Sequence, residues 1–221
     1  MKTKKQINQE LMVIHELFPS NTTELTRETP FQLLIAVVLS AQSTDKQVNK
    51  ITSMLFQIIK NPQDILELGL DKLKDYIRSI GFFNNKAKNI LTLSEQLIND
   101  YDGVIPSSLA ELVKLAGVGE KTAKVVMHQL YDWQYIAVDT HVHRVANRLW
   151  WVDTKLPEQT SKLIESLIYK DNIYLAHHAL ILFGRYKCKA VRPLCETCPL
   201  QKNCIYFNTV MKFKIKKIPL K

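Results

Sequence analysis

The sequence predicts an all-α protein built from two helical domains, and three observations carry that expectation. Apolar residues recur at three- and four-residue steps along most of the 221 residues. Capping residues, prolines and glycines punctuate the pattern where helices start and stop. The one stretch that reads as a strand, Tyr135-Ile136-Ala137-Val138, has no partner strand elsewhere and is better taken as an extended lead-in to a helix.

Each element has its own signal. Thr29-Pro30 supplies an N-cap and an N1 proline for the apolar run Phe31–Leu39. Asp45 opens a second helix with Val48, Ile51, Leu55 and Ile58 as its apolar seam, and Asn61-Pro62 breaks it. Short helices are expected over Pro62–Leu68 and Asp71–Ile80, with Gly69 and Gly81 at the positions just past their ends. Asn85–Tyr101 is a longer helix, closed by Asp102-Gly103. Pro106–Leu115 and Glu120–Leu130 follow, separated only by Ala116-Gly117-Val118-Gly119. Helices over His141–Trp150, Pro157–Tyr169 and Leu175–Tyr186 complete the pattern. A domain boundary is expected near residues 131–135, where a helical block gives way to a half that carries every cysteine.

Composition narrows the function classes. A hydrophobic fraction of 46% and a charged fraction of 23% exclude a disordered chain, a fibre and a disulfide-dense mini-protein. No apolar run approaches the ~20 residues of a membrane span. The basic start Met1–Lys5 is not followed by an apolar signal core, so the chain is expected in a reducing cytosol rather than secreted. Thirty Lys and Arg against twenty-one Asp and Glu give a net charge of +9. That excess favours a polyanionic partner, nucleic acid or an anionic membrane face, over the plainer alternative of a solvated basic surface. Residues 212–221 hold five of the lysines and read as a basic tail.

The segment Leu115-Ala116-Gly117-Val118-Gly119-Glu120-Lys121-Thr122 joins two helices through a hairpin with an apolar residue between two glycines. Glycines let a backbone approach another molecule closely, and the following helix N-terminus offers unpaired amides to a phosphate oxygen. An ordinary helix–helix turn with glycine caps is the alternative. Lys121 stands two residues past Gly119; most helical lysines are solvated, but a nucleophilic one must present a free amine, which burial and a helix N-terminus both favour. Asp139 follows the apolar Ile136-Ala137-Val138 at a helix start, where it is either an N-cap or a partly desolvated carboxylate working with Lys121. His141, His143, His177 and His178 have spacings that share no helical face and are read as non-ligands.

The four cysteines, Cys188-x6-Cys195-x2-Cys198-x5-Cys204, form one loop with a single Cys-x2-Cys pair. Structural zinc sites usually bring two close pairs, whereas one continuous loop suits an iron–sulfur cube with one thiolate per iron. Zinc, and disulfides or unliganded thiols, remain open alternatives on spacing. Lys187, Lys189 and Arg192 make the first interval basic, able to face phosphates.

Together these segments resemble the endonuclease III family. The resemblance rests on Gly117-Val118-Gly119-x-Lys121-Thr122, Val138-Asp139-Thr140-His141, Gly184-Arg185-Tyr186-Lys187-Cys188, Leu39-Ser40-Ala41-Gln42-Ser43-Thr44-Asp45 and the four-cysteine loop, in order over residues 22–207. It implies a base-excision-repair DNA glycosylase and abasic-site lyase acting on oxidised pyrimidines in double-stranded DNA, as a monomer, with a [4Fe-4S] cluster on Cys188, Cys195, Cys198 and Cys204. The implied layout is a helix–hairpin–helix domain over 22–132, a cluster domain from 1–21 plus 133–211, and a DNA cleft between them. A bacterial member would be nucleoid-associated. Lys121 takes the place of the Schiff-base nucleophile and Asp139 that of the essential carboxylate. Gln42 and the residues around Ile80 and Phe82 would fill the gap left by an extruded nucleotide, with Gly117, Val118, Gly119, Lys189 and Arg192 on the DNA backbone. Two positions depart from the family: Ala116 stands where a proline is usual, and Glu120 where a basic residue is common. The rivals are an adenine-mismatch glycosylase, which usually lacks the lysine amine and carries a further C-terminal domain, and a non-catalytic helix–hairpin–helix module with zinc.

Overall fold

Nine consecutive residues of helix α2 (Pro30–Ser40), Phe31 through Leu39, are buried, as a helix apolar on all sides must be. This computed structural model describes residues 1–19, 23–131 and 135–211. The expected tail 212–221 and residues 132–134 of the expected boundary lie outside them. The chain divides into a composite unit, Met1–Thr22 with Gln134–Lys221, and a continuous unit, Thr23–Trp133. All regular structure among the described residues is helical, and no helix there is long and apolar enough to cross a membrane.

In the continuous unit, the Thr29 hydroxyl caps α2 by accepting the Gln32 amide at 3.1 Å. Gln32 is itself buried, so each of its amide atoms needs a partner. Its Nε2 donates to the Phe56 and Ile59 carbonyls at 3.0 and 2.8 Å, and its Oε1 accepts from the Glu28 and Thr29 amides at 2.7 and 3.3 Å. The start of α2 is thereby tied to the end of α3 (Asp45–Ile58). The seam of α3 differs from the expected one at its last position: Ile58 is 46% exposed and Ile59 is fully buried. Eleven helical steps from Val48 return to the same face, whereas ten fall short of it.

Gly69, at φ 75°, joins α4 (Pro62–Leu68) directly to α5 (Leu70–Ile77). The expected helix to Ile80 stops three residues early, and the left-handed residue is Phe82 at φ 59° rather than Gly81. Helix α6 (Phe83–Tyr101) packs against α4 and α5 and ends at Asp102, also left-handed. The expected helix over Pro106–Leu115 is a single turn, α7 (Leu109–Leu112): Ser108 caps it late, and Leu115 already folds back into the hairpin. Helix α8 is Glu120–Tyr131.

The composite unit contains a helix that the sequence reading lacked, α1 (Lys4–Leu17), opened by a Thr3–Gln6 capping box. Its Ile7, Leu11 and Ile14 join Val142, Val145, Leu149, Trp151 and Phe183 in one core. Buried Asn8 accepts from the Tyr169 amide at 2.8 Å and donates to the Leu167 carbonyl at 3.2 Å. The Trp151 indole donates to Glu10 at 2.7 Å, and the Lys2 ammonium meets the same carboxylate. Tyr135–Val138 is extended without forming a strand, its Ile136 amide held by Glu165 at 3.1 Å. Helices α9 (Thr140–Arg148), α10 (Pro157–Leu167) and α11 (Ile173–Leu182) follow, and α11 runs into a π-helical turn, Phe183–Lys187.

The shifted α3 seam is measurable. Ile59→Ala should cost about 2–4 kcal/mol in chemical denaturation of the full chain, and Ile58→Ala less than about 0.5 kcal/mol.

Candidate active site

The two hairpin glycines have different work. Gly117 sits at φ 76°, and a Cβ there would lie 2.8 Å from Asn89 Cβ of α6, so glycine is required by the fold. Gly119 has nothing within 4 Å of a built Cβ and faces open space. Val118 between them is buried and anchors the turn, its amide donating to Leu115 at 3.1 Å. Ala116, standing where the family usually has proline, uses the N–H that proline lacks: it donates to Gln96 Oε1 at 2.8 Å, while Gln96 Nε2 donates to Lys114. Glu120 is 71% exposed on its side chain and pairs with Lys124 one turn on at 3.3 Å, so its charge is met within its own helix.

Lys121 lies in the first turn of α8 with an exposed side chain, so the burial offered as one route to a free amine is not what its unit provides. Asp139 belongs to the other unit and is the N-cap of α9. Its Oδ1 accepts both the His141 and Val142 amides, at 2.8 and 2.9 Å, which leaves Oδ2 unused by any described residue. The cap and the chemical role are therefore compatible, since they fall on different oxygens. Gly184 lets the start of α9 sit close: a Cβ there would meet His141 Cβ at 2.7 Å. Burial pushes the His141 imidazole below its ordinary value, with Arg144 and Arg185 adding to the effect.

Of the expected gap-filling residues, Gln42 is exposed at φ 58° and Phe82 is 67% exposed at φ 59°. Ile80 is corrected. It is 2% exposed, a core side chain with no surface to offer DNA.

None of the four cysteines is joined to another by a disulfide. They line one cavity with Leu149, Phe183, Leu194 and Tyr206. Burial, reinforced by the three other cysteines, pushes the Cys195 thiol up to about 11; burial also raises Cys198 and Cys204. Bringing the Cys195, Cys198 and Cys204 thiols into the ionised form together calls for a cation among them. Among the described residues, no three Cys, His, Asp or Glu side chains converge on a point that would hold a single metal ion.

The loop has little regular structure and is held by two arginines that the sequence reading passed over. Arg144 donates to the Gly184 and Cys188 carbonyls at 2.7 and 3.0 Å. Arg148, one turn on, donates to the Lys189 and Ala190 carbonyls at 2.7 and 3.1 Å and to Cys188 Sγ at 3.6 Å. Its guanidinium lies 4.1 Å from the Tyr206 ring centroid, and its carbonyl accepts from Cys204 Sγ at 3.4 Å. Their i, i+4 spacing on an amphipathic helix was the available signal. Lys187 is half-buried and donates to Thr197 Oγ1 at 2.8 Å, while Lys189 and Arg192 are exposed.

Residues 35–170 match the HhH-GPD superfamily base excision DNA repair protein family. Endonuclease III of Rickettsia felis is 48% identical over 200 residues, 89% of this chain and 94% of that protein. Two solved structures, a non-covalent endonuclease III–DNA complex and a trapped endonuclease III–DNA covalent intermediate, each superpose with a TM-score of 0.90 at 44% identity. Each match covers 96% of this chain and 100% of the other. With that identity over nine-tenths of its length and the same helical fold, the chain belongs to the endonuclease III family.

Proposed function

We propose that this protein excises oxidised pyrimidines from duplex DNA with Lys121 as nucleophile and Asp139 as its proton acceptor, working as a monomer. Its family is that of bifunctional DNA N-glycosylases and abasic-site lyases of base-excision repair. The observation that carries the residue assignment is the exposed amine of Lys121 in the first turn of α8, two residues past the open face of Gly119. A phosphate received by the hairpin amides would bring the adjoining sugar to that amine.

The chemistry follows from the groups. The damaged nucleotide must leave the stack, and a damaged base costs less to unpair. Gln42 and Phe82 are the exposed side chains suited to fill the space it vacates. The Lys121 amine attacks C1′, the bond from C1′ to the base breaks, and the base departs with a proton. The ammonium formed in the attack gives its proton to Asp139, through the oxygen that does not cap α9. The C1′–O4′ bond then opens, O4′ taking a proton back from Asp139, and the imine that forms acidifies the C2′ proton; its loss drives elimination of the 3′ phosphate and cuts the strand. Lys189 and Arg192 are placed by this reading on the DNA backbone. Cys188, Cys195, Cys198 and Cys204 would hold a [4Fe-4S] cluster, whose contribution is to fix the shape of that basic loop.

Four outcomes are expected. Borohydride trapping to an abasic-site duplex should vanish in Lys121→Gln. Asp139→Asn, which keeps a good cap but no charge, should slow excision ~10²–10⁴-fold with little loss of stability, read by single-turnover kinetics and thermal melting. Gly119→Ala should weaken duplex binding without changing the melting temperature, whereas Gly117→Ala should lower it; equal effects in the two variants would count against the hairpin assignment. The purified protein should absorb near ~400 nm and carry iron rather than zinc.

A further inference from the structure

Lys86, in the second turn inside α6, is buried, and no carboxylate among the described residues lies within ion-pair distance of it. Burial without a counter-ion disfavours an ammonium, and Lys86 is indeed held below the ordinary lysine value by desolvation. Each of its three donors is nevertheless used. Nζ donates to the Leu39 carbonyl at 2.8 Å, the Ala41 carbonyl at 2.6 Å and the Ser43 hydroxyl at 3.3 Å. These acceptors lie at the C-terminal end of α2, where a cation is favoured by unpaired carbonyls and the helix dipole.

The acceptors matter for what lies between them. Ala41 and Ser43 are the two neighbours of Gln42, so one ammonium grips the chain on both sides of an exposed glutamine held at φ 58°. That is a conformation non-glycine residues keep only when their surroundings impose it. The Lys86 backbone amide, in turn, donates to the Phe82 carbonyl at 3.0 Å, and Phe82 is a second exposed left-handed residue of the unit. Gln47 adds a second tie, its Nε2 donating to the Ser79 carbonyl at 2.6 Å. The loop bearing Gln42 and the turn bearing Phe82 are thus linked through one residue that touches no solvent-facing surface itself.

We propose that Lys86 is a positioning residue for nucleotide extrusion: it locks the Gln42 loop in its strained conformation and joins it to the Phe82 turn, so that both side chains enter the duplex as one preformed wedge. This rests on the reading of Gln42 and Phe82 as gap-filling residues. A preformed wedge spends no binding energy on ordering the loop when it meets the duplex.

The test is a double-mutant cycle in the full-length holoprotein with Gln42→Ala, Lys86→Met and the double variant. Single-turnover excision of a paired oxidised pyrimidine is followed together with 2-aminopurine fluorescence opposite the lesion, which reports extrusion. Both single variants should lose about tenfold in excision and in the fluorescence rise, and the double variant should be no worse than the weaker single. A merely structural lysine would lower the melting temperature and multiply with Gln42→Ala. Should Lys86→Met fail to fold, Ser43→Ala removes one of the three bonds at the surface and should show a smaller slowing that disappears in the Gln42→Ala background. Wild-type excision by Gln42→Ala would overturn the wedge reading, and with it any role for Lys86 through that residue. A slow Gln42→Ala beside unimpaired Lys86→Met or Ser43→Ala, or effects that multiply, would overturn the Lys86 inference alone.

Discussion

The guanidinium of Arg148 is the contact on which the least regular part of this protein depends. Its planar fork meets two carbonyls and a sulfur at one end of the cysteine loop, stacks on Tyr206, and its own carbonyl receives the last cysteine. A lysine could not satisfy that set, because a point charge lacks both the fork and the flat face. Arg144 does the same for the start of the loop. Both arginines stand on α9, whose first residue is capped by Asp139. One nine-residue helix therefore carries the candidate carboxylate at its head and the anchor of the cysteine loop along its side. The composite unit gains a fixed relation between chemistry and scaffold from secondary structure alone.

A second theme is the use of buried polar side chains as ties between helices. Gln32 and Asn8 each have a buried amide that is satisfied partly by its own helix and partly by backbone groups of another segment. Lys86 makes such a tie with an ammonium. Removing one partner of such a set leaves buried groups unsatisfied, which costs more than the bond itself is worth. These ties specify register and angle in places where packing of Leu, Ile and Val alone would tolerate sliding.

Much of this was legible in the sequence, and the failures have identifiable causes. Helix starts with a cap and a proline, as at Thr29-Pro30 and Asn61-Pro62, were read correctly because the signal is local. The hairpin and the four-cysteine loop were legible because their residue types and spacing are rare in combination. The α3 seam slipped at Ile58 because ten steps and eleven steps look alike in a short apolar pattern. Ile80 and Phe82 were named together through the family resemblance, and two residues' separation in sequence does not show that one side chain is buried and the other exposed. Ala116 was a departure whose compensation, Gln96, lies twenty residues away and leaves no mark in sequence. Lys86 and Arg148 are ordinary residues on helices until the chain folds around them.

The burial of Phe31 through Leu39 in α2 has a consequence beyond the native state. Leu33–Leu39 is seven residues without a charge, a proline or a glycine, and rich in β-branched side chains. Such a segment is shielded only while the helices of the continuous unit surround it, and when it opens it has the makings of a self-pairing strand. Its guards are at the flanks, Pro30 on one side and the Lys86-bound turn on the other. During synthesis α2 emerges well before α6 and α8, so for that interval the nascent chain carries its stickiest stretch uncovered. The polypeptide thus has a window of aggregation risk set by the order of its helices, and solubility on expression should be governed by how fast the second half of that unit arrives.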